Sequence, residues 1–237
     1  MTVFVLTLRP DSFARECLAT DSALRLIPGP FRSQASFRVR IALNLKGIAR
    51  EDSFLHLEKG DQFAAAYRAI NPQMVVPTLI DGGTKLFQSL AILEYLDEKY
   101  PQPPLLPSAA AARAEVRSLS LSIACDIHPL NNLRVLRYLK SPLGIGEATR
   151  NEWARHWIAL GFTALEQRLS QGGYTGRCCY GDSPGIADCC LIPQTVNAMR
   201  LQCPLDPFPT IRRIYEHCMG LEAFQKAAPA AQSDAEP

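Results

Sequence analysis

The segment Tyr100-Pro101-Gln102-Pro103-Pro104-Leu105-Leu106-Pro107 constrains this chain more than any other stretch. Each of its four prolines removes a backbone N–H and fixes φ, so neither a regular helix nor a central strand runs through it. It reads as a linker, and it divides a 237-residue chain into two parts of domain size. The hydrophobic period differs on its two sides, so the linker separates two kinds of fold.

Before the linker, strand-like and helix-like segments alternate. Residues 24–27 read as a short strand, 37–46 as a helix closed by Gly47, 53–57 as a second strand and 61–69 as a short helix. Residues 77–80 and 86–88 flank Asp81-Gly82-Gly83, a hairpin signal, and 91–99 close the half as a helix. Such an order predicts an α/β module, a small mixed sheet with helices packed on it. After the linker, Val116, Leu119, Ile123, Ile127 and Leu130 recur at helical spacing, as do Trp153, Trp157, Leu160, Ala164, Leu165 and Leu169. The second half is therefore expected to be an all-α bundle. The predicted division is 23–104 and 108–230, with residues 1–22, which contain Pro10 and keep no period, as a peripheral extension.

Composition narrows the function classes. Apolar residues make up 47% and charged residues 20%, enough for a packed core and against wholesale disorder. Lys plus Arg number 25 against 23 Asp plus Glu, which gives no electrostatic case for nucleic acid or an anionic membrane as partner. The apolar runs fall far short of the roughly 20 residues of a membrane helix. The first ten residues lack a basic lead-in and a small-residue cleavage site, so no signal peptide is expected. The eight cysteines include no CxxC pair and read as reduced thiols packed in a cytoplasmic protein, while His56, His128, His156 and His217 compose no zinc site. No metal is expected.

The stretch Phe31-Arg32-Ser33-Gln34-Ala35-Ser36-Phe37-Arg38-Val39-Arg40 carries the chemistry. Serines at a strand-to-helix junction cap free N–H groups, and the helix start favours an anion. A thiol held there is biased toward thiolate; lowering its pKa by two units takes about 2.7 kcal/mol, within reach of a charge-assisted hydrogen bond plus a helix terminus. The junction contains no cysteine, so the thiol must arrive on a soluble cofactor, and glutathione is the candidate. The bland alternative is that Ser33 or Ser36 is only an N-cap.

Two further features accompany it. Val75-Val76-Pro77-Thr78-Leu79 places a proline at a strand start, where a cis bond fits and Val76 can offer its N–H and C=O to an extended peptide. Ser89, in Leu86-Phe87-Gln88-Ser89-Leu90, stands at a helix start suited to an α-carboxylate. Arg38 and Arg40 read as solvated surface charges, whereas Arg32 is balanced between surface and site. His128 and Asn132 lie four apart on one helical face. Arg134 points elsewhere unless Pro129 distorts the path.

In this order the motifs resemble the glutathione transferases, and residues 33–43, with Arg-Val-Arg-Ile-Ala-Leu, resemble the zeta class of maleylacetoacetate and maleylpyruvate isomerases. The similarity runs from about residue 26 to about residue 231 and takes in Cys125-Asp126-Ile127-His128-Pro129-Leu130-Asn131-Asn132, Gly181-Asp182, Ala187-Asp188 and Ala198-Met199-Arg200. The resemblance implies a thioredoxin-like N-terminal domain, an all-helical C-terminal domain and a homodimer. It implies that Ser33 hydrogen-bonds the glutathione thiolate and that Gln34, Ala35, Ser36, Phe37 and Arg38 complete that loop. Val76, beside Pro77, would pair with the cysteinyl backbone, Gln88 and Ser89 would hold the γ-glutamyl end, and Gln62 would lie near the glycyl end. His128, Asn132, Leu133 and Arg134 match the segment that reaches the site from the helical domain, and Arg32 and Arg200 match positions suited to the carboxylates of a diacid substrate.

Two departures stand out. Zeta enzymes commonly carry Ser-Ser-Cys-Ser where this chain has Ser33-Gln34-Ala35-Ser36, and glutathione transferases favour Ser or Thr where Gly185 precedes Asp188 by three. The implied activity is cis-to-trans isomerisation of maleylacetoacetate to fumarylacetoacetate, a step of aromatic amino acid catabolism, by reversible thiolate addition. The alternatives are a maleylpyruvate isomerase, a general transferase that conjugates electrophiles, and a non-catalytic interaction protein. Retention of Ser33 and Gln88-Ser89 speaks against the last. The wording Asn132-Leu133-Arg134-Val135-Leu136 resembles the maleylacetoacetate enzymes somewhat more.

Overall fold

A computed structural model describes residues 24–235, so the proposed extension and Cys17 lie outside the described residues. The chain divides into two units, one of residues up to 103 together with 223–235 and one of residues 104–222.

In the first unit four strands form one sheet in the order β2-β1-β3-β4, from β1 (Arg25–Ile27), β2 (Glu51–Asp52), β3 (Thr78–Asp81) and β4 (Thr84–Phe87). Strand β1 runs parallel to β2 and antiparallel to β3, with Leu26 opposite Leu79, and β3–β4 is the expected hairpin. Helices α1 (Gln34–Leu45), α2 (Ala65–Ile70) and α3 (Ser89–Lys99) complete the unit, and Ile27, Leu55, Tyr67, Ile70 and Ile80 form a buried cluster. No strand forms over the expected 53–57; the strand that pairs with β1 is Glu51–Asp52, just before it. Ser53 N–H still reaches Leu26 C=O and Leu55 N–H reaches Pro28 C=O, but Pro28 has no N–H to donate between them, so the ladder stops. Helix α1 starts at Gln34 and α3 at Ser89, earlier than hydrophobic period alone predicts, because both begin with polar cap residues.

The expectation that Arg38 and Arg40 are surface charges is overturned. Residues Phe37 through Leu43 of α1 are all buried, with Arg38 2% and Arg40 0% exposed. A helix enclosed on most sides has no free face for a charge, and both guanidinium groups are spent on internal acceptors. Nearby, the Lys46 ammonium is held by Asp97 at 2.9 Å, Tyr100 C=O at 2.6 Å and Pro103 C=O at 2.8 Å, which ties the linker to the end of α1.

The domain division also needs correction. Residues 223–230 belong with the first unit: Asn44 Nδ2 donates to Ala223 C=O at 2.9 Å and Arg40 Nε to Ala227 C=O at 3.0 Å. The linker's own Pro104 opens the second unit.

That second unit is helical, as expected: α4 (Ala110–Leu121), α5 (Leu133–Lys140), α6 (Glu147–Gln171), α7 (Ile186–Arg200) and α8 (Pro209–Met219), followed by α9 (Glu222–Ala227) at the boundary. Val116, Leu119, Ile123 and Ile127 are buried as predicted, although α4 gives way to a π-helical segment at Ser122–Ile127 and a 3-10 turn at His128–Asn131. On α6 the buried stripe is Ala154, Ile158, Phe162, Leu165 and Leu169, so the predicted stripe shares only its last two members and Leu160 is 56% exposed. Asp188 accepts from Gly185 N–H at 2.9 Å and Cys179 N–H at 2.8 Å, while the Leu105 carbonyl takes Ile186 N–H at 3.0 Å. A Cβ on Gly185 would come within 2.7 Å of that carbonyl, which accounts for glycine at this position.

The cysteines among the described residues are free, and all but Cys125 are buried. Cys178, Asp188 and Cys218 bring potential donor atoms within 4.8 Å of one another, with the carboxylate already engaged by the two N–H groups above. No helix among the described residues is long and apolar enough to cross a membrane.

Candidate functional site

Ser33 is the N-cap of α1, and its Oγ accepts from Ser36 N–H at 3.3 Å and from the Ser36 hydroxyl at 2.9 Å. Ser36 Oγ in turn accepts from Gly29 N–H at 3.1 Å. The protons therefore run in one direction, Gly29 to Ser36 to Ser33, and the Ser33 hydroxyl keeps its own proton to donate outward. Ser36 is fully buried and Ser33 half-buried, so this donor stands at the edge of a dry network on a positive helix end. The cap reading and the anion reading are compatible: the oxygen caps the helix and the proton remains.

Val76 lies beside this group. A Cβ built on Gly29 would fall 2.5 Å from Val76 Cγ2 and 3.2 Å from Ser33 Cβ, so Gly29 is the spacer on which both pack. The Val76–Pro77 bond is cis. No hydrogen bond among the described residues engages Val76 N–H or C=O, whereas Val75 C=O is taken by Tyr67 and Asn71. An extended peptide thus finds one residue's backbone pair available and its neighbour's occupied.

Ser89 opens α3, and buried Arg38 donates to its Oγ at 3.2 Å. The serine hydroxyl is left to donate at a second helix start with a guanidinium beneath it, an arrangement matched to a carboxylate. Gln88 before it holds φ 69°, a conformation that costs a non-glycine residue on the order of 1–3 kcal/mol, and its amide donates to Gln73 Oε1 at 3.0 Å. Gln62 is buried and turns its amide toward Leu57 C=O at 3.4 Å. Phe37 is core, with the Arg40 guanidinium 5.6 Å from its ring centroid, and Gln34 is buried while Ala35 is half-buried. Arg32 is exposed, its guanidinium 4.8 Å from the Phe31 ring centroid.

The remaining predicted residues belong to the helical unit. His128 and Asn132 do meet, with Asn132 Nδ2 3.3 Å from His128 Nε2, although they sit on a 3-10 turn and the following cap and not on one helix. Asn132 Oδ1 caps α5 by accepting Arg134 N–H at 2.9 Å, so the chain breaks direction between His128 and Arg134. Leu133 is the first residue of α5 and is 37% exposed. Arg200, in the last turn of α7, donates to Asn197 Oδ1 at 2.9 Å; Asn197 Nδ2 donates to Asn131 Oδ1 at 3.1 Å, and Asn131 Nδ2 to Ile127 C=O at 2.8 Å. Sequence reasoning missed Asn131 and Asn197. The spacing of Asn197 three residues before Arg200 was the available signal; that Asn131 meets it is visible only in the fold.

Residues 32–104 match the model of the glutathione S-transferase N-terminal domain. The maleylpyruvate isomerase of Ralstonia sp is 48% identical over 204 residues, covering 86% of this chain and 96% of the relative. The probable maleylacetoacetate isomerase of Vibrio cholerae is 45% identical over 212 residues, covering 89% and 98%. A holo structure of a zeta-class bacterial maleylpyruvate isomerase superposes with a TM-score of 0.87 at 46% identity, covering 90% of this chain and 100% of that one. A structure of the maleylacetoacetate isomerase from Anaeromyxobacter dehalogenans, with bound dicarboxyethyl glutathione and citrate, gives 0.79 at 42% identity, covering 91% and 94%. A thioredoxin-like sheet followed by an all-helical unit, the match of residues 32–104 to the N-terminal domain model and 42–48% identity along nearly the full length of these relatives make the chain a member of the glutathione S-transferase family, zeta class.

Proposed function

We propose that the protein is a glutathione-dependent cis–trans isomerase that converts maleylacetoacetate to fumarylacetoacetate. The observation that carries this reading is the one-way relay ending in the Ser33 hydroxyl, a preorganised donor for a thiolate in a chain with no cysteine of its own at that junction. Its chemical complement is the Anaeromyxobacter relative with dicarboxyethyl glutathione, a glutathione whose sulfur carries a four-carbon diacid. Bound glutathione supplies a thiolate that adds reversibly to the conjugated double bond, permits rotation about the resulting single bond and is released unchanged.

The chain's own residues hold and orient. Ser33 donates to the sulfur and keeps it ionised, with the α1 terminus adding a favourable potential. Val76 N–H and C=O pair with the cysteinyl backbone, and Ser89, on its buried Arg38, receives the γ-glutamyl carboxylate beside Gln88. Gln62 is assigned to the glycyl end. Arg32 and Arg200 take the substrate carboxylates, and Asn132 and His128 orient polar atoms from the helical unit, with Leu133 and Arg134 next to them. Family membership also supports a homodimer in the cytoplasm, and light scattering that returns a monomer mass would overturn the former.

A second reading, maleylpyruvate as the substrate, is favoured by the 48% identity to the Ralstonia enzyme. Both cis acids supplied with glutathione decide the matter. Isomerisation yields the trans product with no net loss of glutathione, and the faster substrate names the enzyme. Consumption of one glutathione per turnover would make the protein a conjugating transferase instead.

A further inference from the structure

Phe31, two residues before Ser33, has both of its backbone polar groups held by side chains from elsewhere in the first unit. Its N–H donates to Asp234 Oδ2 at 2.9 Å and its C=O accepts from Arg40 Nη2 at 3.1 Å. The two clamping groups belong to one assembly. Arg40 is wholly buried and gives its Nε to Ala227 C=O at 3.0 Å, so a single guanidinium joins the loop to the C-terminal segment. Asn44 anchors that segment at Ala223, and Gln232 Nε2 folds its end back by donating to Lys226 and Ala228 C=O, each at 2.9 Å. Asp234 is thereby delivered to Phe31 across 203 residues of chain.

The position matters because the groups just before a helix have no intrahelical partner to fix them. Between Phe31 and the Ser33 cap the described local restraint is the turn from Ser33 N–H to Pro30 C=O at 2.7 Å. A buried guanidinium is costly unless engaged, and this one is engaged on the tail through Nε and on the loop through Nη2, while its Nη1 is buried without a hydrogen-bond partner among the described residues. We propose that Asp234 and Arg40 are positioning residues: they make the C-terminal tail a structural part of the glutathione-activating loop, fixing Phe31 and so aiming the Ser33 hydroxyl at the sulfur. The inference rests on Ser33 as the thiolate donor. It assigns a role to a tail that sequence patterning placed with the helical half as far as residue 230 and with neither half beyond it, and it gives Arg40 a task in place of solvation.

The test compares Asp234→Ala, Asp234→Asn and Ser33→Ala by the pH titration of bound glutathione, read from thiolate absorbance, together with hydrogen exchange at the Phe31 amide. Ser33→Ala is expected to raise the bound thiol pKa. Asp234→Ala is expected to raise it as well, lowering the thiolate fraction at neutral pH roughly threefold to tenfold, with faster exchange at Phe31. Asp234→Asn keeps an oxygen that accepts the Phe31 N–H and is expected to restore most of both signals, a rescue that a general loss of stability would not give. An unshifted thiol in Asp234→Ala beside a shifted one in Ser33→Ala overturns the clamp. An unshifted thiol in Ser33→Ala overturns the reading beneath it, and the Phe31 exchange rate still reports whether Asp234 holds the loop. Should Asp234→Ala fail to fold, a chain ending at residue 232 replaces it, and unchanged titration and exchange there likewise overturn the clamp.

Discussion

The Ser36 hydroxyl donates to the Ser33 hydroxyl at 2.9 Å while accepting the Gly29 N–H at 3.1 Å. Polarised in this order, the pair makes Ser33 a better donor than an isolated serine at a helix cap. Losing a hydrogen bond to a charged group costs about 1.5–3 kcal/mol, so Ser33→Ala should lower kcat/KM by roughly ten- to a hundredfold. Ser36→Ala removes the polarising partner and the acceptor of Gly29 N–H but leaves the Ser33 donor in place, and should lower it less, by a few-fold. Steady-state kinetics on both variants checks the ranking; equal losses, or a larger loss for Ser36, would show that Ser36 acts through the fold alone.

Gly29 offers a test of spacing. Alanine there puts a methyl 2.5 Å from Val76 Cγ2 and 3.2 Å from Ser33 Cβ, so Val76 must move away from the thiol loop. Since Val76 is assigned the cysteinyl backbone, Gly29→Ala should weaken glutathione binding by about tenfold, a change of roughly 1.4 kcal/mol. Calorimetric titration with glutathione measures it. Wild-type affinity in the folded variant would remove Val76 from the binding site.

Asn197 and Asn131 set the rotamer of Arg200 from beneath, through bonds of 2.9 and 3.1 Å. Asn197→Leu keeps the branched outline of the side chain while adding bulk, and removes both the acceptor that Arg200 uses and the donor to Asn131 Oδ1, loosening the orientation of the guanidinium. The expected signature is selective: KM for the diacid rises by about fivefold to tenfold, from the loss of a bond of about 1–1.5 kcal/mol, while glutathione affinity is unchanged. Equal changes in both would mean that the substitution disturbs the helical unit and that Arg200 has no special dependence on it.

What was legible in the sequence followed from local rules. The proline linker, the hairpin at Gly82-Gly83 and the Ser33 cap all announce themselves within a few residues, and the structure keeps each of them. The failures were non-local. Periodicity put Leu160 on the buried stripe of α6, but the neighbours that select the buried face come from distant elements, and Ala154, Ile158 and Phe162 face the core instead. Arg38 and Arg40 were misjudged because charge alone predicts exposure, whereas their acceptors are Ser89, Phe31 C=O and Ala227 C=O. No window around α1 contains Ala227 or Asp234. Within the site, residues that cap a helix were recoverable, and residues that hold those caps in place were not.

Glu115 gives the helical unit a predictable acid limb. Its carboxylate accepts from Arg168 Nη2 and the Tyr174 hydroxyl, both at 2.6 Å, which hold its pKa below the ordinary 4.5, the Tyr174 bond contributing most. The unfolded carboxyl takes up its proton first as pH falls, so in that window the unfolded state binds more protons and stability declines with decreasing pH; above it the contribution is complete. The opposite limb belongs to Tyr174, whose pKa rises to about 12 through burial and then through Glu115, so its share fades as pH climbs from 10 toward that value. Both partners of the ion pair are 33% exposed, and solvent screening limits the pair to about 0.5–1 kcal/mol. Glu115→Gln should therefore lower the urea midpoint slightly at neutral pH, and the gap to wild type should close once the pH passes below the native Glu115 value. A gap that persists undiminished at acid pH would mean that the loss comes from packing and that the carboxylate's charge is not what holds α4 to α6.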